Sequence, residues 1–148
     1  MNNRRNQRIG AQVERIAALR LIYLGFKMVC RISTPTAIIR GKRIFCGKAE
    51  GDLRAVGPGG TSVLVECKSR PERLTFSDLE KHQSARLDEH LALGGISLVA
   101  WHNSDGIYVL PWDIMRAQGF GKGHGIGSEW AAKNEIKPNQ KTTDKESK

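Results

Sequence analysis

Residues 51–68 read GDLRAVGPGGTSVLVECK and contain the clearest local structural signal in the chain. Two segments of strand-forming composition, Gly51–Val56 and Ser62–Lys68, lie on either side of the Gly57–Gly60 tetrad. Because a Gly-Pro-Gly-Gly sequence is a strong turn signal, the stretch predicts a β-hairpin. The apolar Val63–Val65 run predicts that the second strand is central in a sheet and buried.

Three chemically active side chains lie in this hairpin, Asp52 on its first strand and Glu66 and Lys68 on its second. Side chains alternate along a strand, so Glu66 and Lys68 share one face and Cys67 points to the other. Hydrolysis of a phosphodiester needs a hard cation to activate water and neutralise charge, and Mg²⁺ prefers carboxylate oxygens. The pattern therefore predicts a Mg²⁺ site of Asp52, Glu66 and the Cys67 backbone carbonyl, where Lys68 orients or activates the water. The alternative is an ordinary surface ion pair between Glu66 and Lys68.

The rest of the chain predicts helices and further strands around the hairpin. Helical spacing of apolar residues indicates a helix over Ile9–Leu24, and a second helix over Ser77–Leu93 begins with a capping box from Ser77 to Glu80. The other predicted elements are strands over Phe26–Ile32, Ile96–His102 and Gly106–Trp112, a short strand near Lys42–Cys46 within an irregular segment Ser33–Lys48, and a short helix from Asp113 to Gln118. We expect one domain over residues 9–133, a flexible basic arm at residues 1–8 and a disordered charged tail at residues 134–148.

Positive charge is concentrated in the first third of the chain. Met1–Lys48 contains 11 Lys or Arg and a single acid, Glu14, whereas Ala49–Lys148 contains 13 basic and 14 acidic residues. A polyanion such as DNA is the natural partner for this asymmetry. We expect the basic side chains that flank the predicted site to contact phosphates, which fixes position without reading bases. These side chains are Arg4, Arg5, Arg8, Arg31, Arg40, Lys42 and Arg43.

Several other classes of protein are excluded by the composition. No apolar run reaches the roughly 18 residues of a membrane span, and the polar, basic residues 1–8 lack the apolar centre of a secretory signal. The three cysteines, Cys30, Cys46 and Cys67, are widely spaced and form no CxxC or Cys/His cluster, which argues against a zinc site or a disulfide framework. Reduced thiols in a cytoplasmic compartment are the simplest interpretation. We expect neither a membrane partner nor a small-molecule substrate.

The spacing from Asp52 to Glu66-Cys67-Lys68 resembles the PD-(D/E)xK nuclease superfamily, with Gly51 in place of the usual proline. This resemblance implies an α/β fold, a restriction endonuclease-like single domain with a central mixed β-sheet flanked by helices. It also implies that Asp52 and Glu66 are metal ligands and that Lys68 is the catalytic lysine.

The segments Gly10–Arg15, Leu24-Gly25-Phe26 and Arg31 resemble, more specifically, the opening of archaeal-type (Hjc-like) Holliday junction resolvases. The helix that contains Gln83 is also similar to that family, so the resemblance covers roughly residues 10–112. It implies that Glu14 helps to bind the metal, directly or through water, and that Gln83 supports the site. A serine in the loop after the first strand is common in such resolvases, and the candidates for DNA contact here are Ser33, Thr34 and Thr36.

The function implied by this resemblance is that of a Mg²⁺-dependent Holliday junction resolvase, in which Mn²⁺ would also serve as the cofactor. It would cut four-way DNA junctions by paired symmetric incisions, so a homodimer is implied, with the second helix and the last strands as the expected interface. A restriction- or repair-type endonuclease of the same superfamily is the first alternative. A non-catalytic DNA-binding module is the second, and the intact Asp52, Glu66 and Lys68 argue against it.

Overall fold

A five-stranded mixed sheet forms the centre of the computed structural model, which describes residues 3–33, 36–45 and 51–138. In chain order the elements are α1 (Asn3–Tyr23), β1 (Lys27–Arg31), β2 (Thr36–Ile39), β3 (Lys42–Phe45), β4 (Leu53–Val56), β5 (Ser62–Ser69), β6 (Arg73–Leu74), α2 (Lys81–Ala92), β7 (Ile96–Asn103), β8 (Gly106–Pro111), α3 (Trp112–Ala117), β9 (Ile126–Gly127) and α4 (Ser128–Asn134). The strand order is β1-β4-β5-β7-β8, in which only β5 and β7 run parallel. The predicted α/β fold with a mixed sheet flanked by helices is confirmed.

The predicted hairpin is present as β4 and β5, which pair antiparallel with Leu53 opposite Val65. Its turn contains Pro58–Gly60, where Gly59 and Gly60 have φ angles of 70° and 82°, a region that residues with a Cβ rarely adopt. The β5 strand lies third of five, and its Val63–Val65 run is buried. The prediction of a central strand is therefore confirmed.

The two faces of the sheet are covered by different helices, because alternate β5 residues point to opposite sides. On one face Val63 and Val65 pack with Ala17 and Leu21 of α1. On the other face Leu64 packs in a cluster with residues from α2, α3 and α4. Side chains at even positions of β5 therefore face α2, which decides where Glu66 points.

The first helix begins six residues earlier than the sequence predicted. It starts at Asn3 and not at Ile9, so the part of the expected arm from Asn3 to Arg8 is helical. This part lacks the apolar spacing that marks the rest of α1, and the sequence pattern therefore missed it. None of the helices in the described parts of the chain is long and apolar enough to cross a membrane.

A bulge in β1 breaks the alternation that was predicted for Phe26–Ile32. Met28 has a φ of 53° and is exposed, and the register to β4 shifts between Lys27 and Cys30. As a result Val29, and not Met28, packs towards the core beside α1. A β-bulge inserts one unpaired residue and so reverses the direction of the side chains that follow.

A second hairpin, formed by β2 and β3, lies within the segment that was predicted to be irregular. Its two-residue turn is Arg40-Gly41, with φ angles of 52° and 76°. Two positive φ angles at the central positions are typical of a type I′ hairpin turn. The predicted short strand near Lys42–Cys46 corresponds to β3, while β2 was not predicted and Cys46 lies outside the described residues.

The second helix begins at Lys81, four residues after the predicted Ser77. Ser77 lies instead in a separate 3₁₀ turn with its own capping box from Thr75 to Asp78, and Leu79 after it is extended. Glu80 is the actual N-cap of α2, and its partner in a capping box is Gln83. The prediction of the cap at Ser77 was therefore wrong, because another capping pair competes for that turn.

The N-cap position of the short helix after β8 is Pro111, so α3 begins at Trp112, one residue before the predicted Asp113, which lies in its first turn. Beyond it, the segment after Gly119 contains β9 and α4, neither of which was predicted. The start of the expected tail also contacts the domain, since the Ile136 N–H donates to the Val109 carbonyl on the edge strand β8. Residues 139–148 of that tail lie outside the described residues.

Candidate active site

Asp52 lies at the point where β4 and β5 separate. Its N–H donates to the Val65 carbonyl at 3.0 Å, and its carbonyl accepts from the Ile32 N–H at 3.1 Å, so the backbone is held by both neighbouring strands. Its Oδ2 accepts a hydrogen bond of 2.8 Å from the Cys67 N–H. The N–H and C=O of a strand residue point to the same side. The Cys67 carbonyl therefore points to the same side of β5 as Asp52. It lies past Leu53 and Val65, the pair at which the β4–β5 ladder ends.

Glu66 is buried, with 2% of its surface exposed, and faces α2. Its Oε1 accepts a hydrogen bond of 2.8 Å from Gln83 Nε2. The other end of the Gln83 amide, Oε1, accepts from the Glu80 N–H at 2.9 Å. Because both ends are bonded, the capping box of α2 fixes which way Gln83 presents its NH₂ group to Glu66. The capping contact from Glu80 was missed in the sequence, although its Glu-x-x-Gln spacing is a recognisable signal.

The pKa of Glu66 is raised from 4.5 to about 9. Burial is the largest cause, followed by the negative charge of Asp52 and a hydrogen bond with it, while Lys68 acts in the opposite direction. Glu66 therefore carries a proton at neutral pH in the metal-free protein. Two close carboxylates that cannot both ionise are typical of sites that are built for a cation or for proton transfer.

Glu14 approaches this pair from α1. Its pKa is raised by burial and by Asp52, and lowered by Arg31, whose Nε lies 2.7 Å from Glu14 Oε2. Among the described residues no well-aligned hydrogen-bond donor reaches this buried oxygen. The contact that holds Glu14 Oε2 is thus the ion pair with Arg31.

A cleft of about 170 Å³ brings these residues together. Its lining consists of Gly10, Val13, Glu14, Asp52, Cys67, Lys68, Ser69 and Gln83. Glu66 is not part of the lining but is bonded to Gln83 beside it. All five predicted catalytic residues therefore lie in or next to one cleft, although they come from α1, β5, α2 and the segment before β4.

The donors in the cleft are those that a hard cation prefers. The oxygens of Asp52 and Glu66 lie together, and Glu14 Oε2 is a buried oxygen that lacks an aligned donor. No group of three His, Cys, Asp or Glu side chains within the described ranges is close enough to form a complete cage. Mg²⁺ does not need one, because it is commonly bound through one or two carboxylates and keeps several waters. The residues therefore fit Mg²⁺ better than Zn²⁺, whose sites are usually built around Cys or His ligands in a tetrahedral set.

Gly51 stands where the resembled superfamily usually has proline, and the packing gives a reason. A Cβ at this position would lie 2.7 Å from Leu64 Cδ1 and 3.4 Å from the Val65 carbonyl. The residue is buried directly before Asp52. Any side chain at this position would force the Leu64 side chain to shift, so the close approach of the backbone to β5 favours glycine here.

The residues predicted to contact DNA are exposed wherever their side chains are described. They are Arg5, Arg8, Arg31, Ser33, Arg40 and Lys42. Arg40 lies at the turn between β2 and β3, and Arg31 contacts Glu14. The side chains of Arg4, Thr34, Thr36 and Arg43 lie outside the described part of the chain, so the choice among the hydroxyl candidates stays open.

No protein-family profile matches the chain, and no curated protein sequence matches it. A solved structure does match: the fold is similar to that of Hjc from Archaeoglobus fulgidus, a Holliday junction resolvase from an archaeal hyperthermophile. The TM-score is 0.56 at 19% identity, and the match covers 85% of this chain and 94% of that chain. The fold is thus Hjc-like along nearly the whole length of that structure.

Proposed function

We propose that this protein is a metal-dependent endonuclease that cuts four-way DNA junctions. The observation that carries the proposal is a close pair of carboxylates beside Lys68 and Glu14. Asp52 is half-buried and lines the cleft, and Glu66 is buried next to it. The Hjc-like fold supports the junction as substrate, because the similar structure is that of a Holliday junction resolvase.

Asp52 and Glu66 would hold Mg²⁺ through carboxylate oxygens, with the Cys67 carbonyl as a further ligand and Glu14 reaching it directly or through water. When bound, the ion would lower the pKa of a water and neutralise charge on the phosphate. Gln83 keeps Glu66 in place by donating to Oε1 at 2.8 Å. Lys68, which lines the cleft, would hold the attacking water and stabilise the negative charge that develops on the phosphate.

A homodimer is part of the proposal, because two symmetric incisions need two active sites related by a two-fold axis. Two exposed apolar side chains lie close in sequence to the expected interface, which consists of α2 and the last strands. Leu93 at the end of α2 is 81% exposed and Ile114 on α3 is 38% exposed. Light scattering on the protein as it elutes from a size-exclusion column is expected to give a mass twice that of the 16.4 kDa chain.

The test is cleavage of a four-way junction, a nicked duplex and a linear duplex of the same arm sequences, each with Mg²⁺, Mn²⁺ or EDTA. We expect paired cuts in the junction with either metal and none with EDTA. Equal cutting of all three substrates would exclude junction specificity. Sequence-dependent cutting of the linear duplex would favour a restriction- or repair-type enzyme, and no cutting with either metal would favour a DNA-binding module without activity.

Asp52→Asn separates catalysis from binding. This variant keeps the side-chain shape but weakens the cation site, so we expect junction cutting to slow roughly 100-fold or more, while junction affinity measured in EDTA changes little. Asp105→Asn, in the exposed turn between β7 and β8, is the matched control and should cut normally. Loss of junction affinity in Asp52→Asn, or normal cutting by it, would contradict the assigned role.

A further inference from the structure

The ion pair between Arg31 and Glu14 links the acidic cleft to the protein surface. Glu14 lies in two clefts, one shared with Asp52 and Lys68 and another of about 240 Å³ shared with Arg31 and Arg15. The side chain of Arg31 is 70% exposed, whereas that of Glu14 is 18% exposed. Arg31 is thus a surface group whose charge reaches an acid of the site.

The backbone places Arg31 next to the same acids. It lies opposite Leu53 in the β1–β4 ladder, and Leu53 directly follows Asp52 in the chain. A guanidinium is always charged and its donors match carboxylates and phosphates alike. Arg31 can therefore exchange Glu14 for a phosphate oxygen without a change in protonation.

The contact with Glu14 is also open to exchange. The Nε to Oε2 distance is 2.7 Å, but the buried oxygen has no well-aligned donor among the described residues. An ion pair with a mostly exposed partner contributes little stability. A cation in the acidic cleft would, however, compete with Arg31 for the same oxygen.

We propose that Arg31 is a positioning residue that keeps Glu14 from the cation site until a DNA phosphate binds Arg31 instead. This inference rests on the proposed function and deepens it. Phosphate binding to Arg31 frees Glu14 for the cation, and cation binding to Glu14 frees Arg31 for the phosphate. Each binding event therefore favours the other. The protein would bind its metal tightly only on DNA.

Two simpler roles for Arg31 make different predictions. If Arg31 only contacts phosphate, its removal weakens DNA binding and leaves the DNA-free metal affinity unchanged. If it only supports the local structure, its removal disturbs Glu14 and weakens metal binding. Competition alone predicts that the DNA-free protein binds metal more tightly when Arg31 is neutral.

The experiment measures Mn²⁺ binding to the full chain without DNA, by electron paramagnetic resonance or calorimetry. We expect Arg31→Gln and Arg31→Met to tighten Mn²⁺ binding roughly tenfold, a typical size for coupling between sites. Arg31→Lys keeps the charge and should stay near wild type. Lys27→Gln removes a charge from the same strand and is the control for long-range electrostatics. In a Glu14→Gln background, Arg31→Gln should have no effect, since the shared partner is gone.

Unchanged or weaker Mn²⁺ binding in both neutral Arg31 variants would overturn the inference, and so would equal tightening in the Glu14→Gln background. Junction affinity of these variants is expected to fall at the same time. The proposed function fails separately: if the wild type neither binds Mn²⁺ nor cuts a junction, the enzyme assignment itself is wrong. Wild-type cutting together with an unchanged metal affinity in the variants refutes only the role of Arg31.

Discussion

Replacing Glu66 by glutamine is expected to stabilise the metal-free protein at neutral and alkaline pH. The folded protein holds a proton on Glu66 up to a pKa of about 9, whereas the unfolded chain releases it at 4.5. Folding above pH 4.5 must therefore take up a proton, and stability falls as the pH rises. Glutamine resembles the protonated acid in shape, and its amide oxygen can still accept from Gln83. The variant does not need the proton.

The magnitude follows from the window between the two pKa values. One pH unit corresponds to about 1.4 kcal/mol of proton uptake. Between pH 6 and pH 8, both inside the window from 4.5 to about 9, wild type should lose about 3 kcal/mol of unfolding free energy relative to Glu66→Gln. Titration of the groups that do not interact with Glu66 is common to both proteins and cancels in the difference.

Urea denaturation in EDTA at pH 6, 7 and 8, followed by tryptophan fluorescence, measures this difference. Glu129→Gln is the matched control, because Glu129 is an exposed acid on α4 and its removal should change stability by less than about 0.5 kcal/mol at every pH. Parallel pH profiles for wild type and Glu66→Gln would refute the reasoning, since they would mean that Glu66 titrates alike in both states.

Two further changes test the packing around the site. Gly51→Ala places a methyl group 2.7 Å from Leu64 Cδ1 and should destabilise the protein by about 1–3 kcal/mol in urea. Gly127→Ala meets no atom within 4 Å and only exchanges the glycine at the N-cap of α4, so it should cost no more than about 1 kcal/mol. Gln83→Leu leaves Glu66 Oε1 and the Glu80 N–H without their partners, so we expect a loss of about 1–3 kcal/mol and slower junction cutting at unchanged junction affinity. A stable Gly51→Ala variant, or a Gln83→Leu variant that cuts at the wild-type rate, would contradict these contacts.

The hairpin could be predicted from the sequence because all its signals are local. The Gly57–Gly60 turn, the Val63–Val65 run and the alternation around Glu66 each act within a few residues, and they agree with one another. The same holds for the position of Glu66 relative to Cys67, which follows from strand geometry alone. Glu14 and Gln83 could be assigned to the site beside the hairpin only from the family resemblance, because no local sequence pattern indicates which helix covers which face of the sheet.

The missed features depend on competition or on distant partners. The start of α2 was misplaced because Thr75 with Asp78 and Glu80 with Gln83 form successive capping boxes, and propensity cannot rank them. The bulge at Met28 could not be predicted, because the pattern of side chains around Met28 is that of a regular strand. The ion pair of Arg31 with Glu14 joins residues of two elements, and its presence depends on the register that this bulge sets.

Proton uptake by Glu66 and the proposed metal binding are two descriptions of one electrostatic problem. Burial with Asp52 makes a second negative charge unfavourable, and either a proton or a cation can relieve it. A cation that binds the ionised pair must therefore displace the proton on Glu66. The apparent affinity of the site for the cation should then rise with pH up to about 9. The carboxylate pair that destabilises the empty fold is thus the same feature that would give the site its affinity. In Glu66→Gln, stabilisation of the metal-free protein and loss of metal binding are expected to occur together, because a single charge causes both.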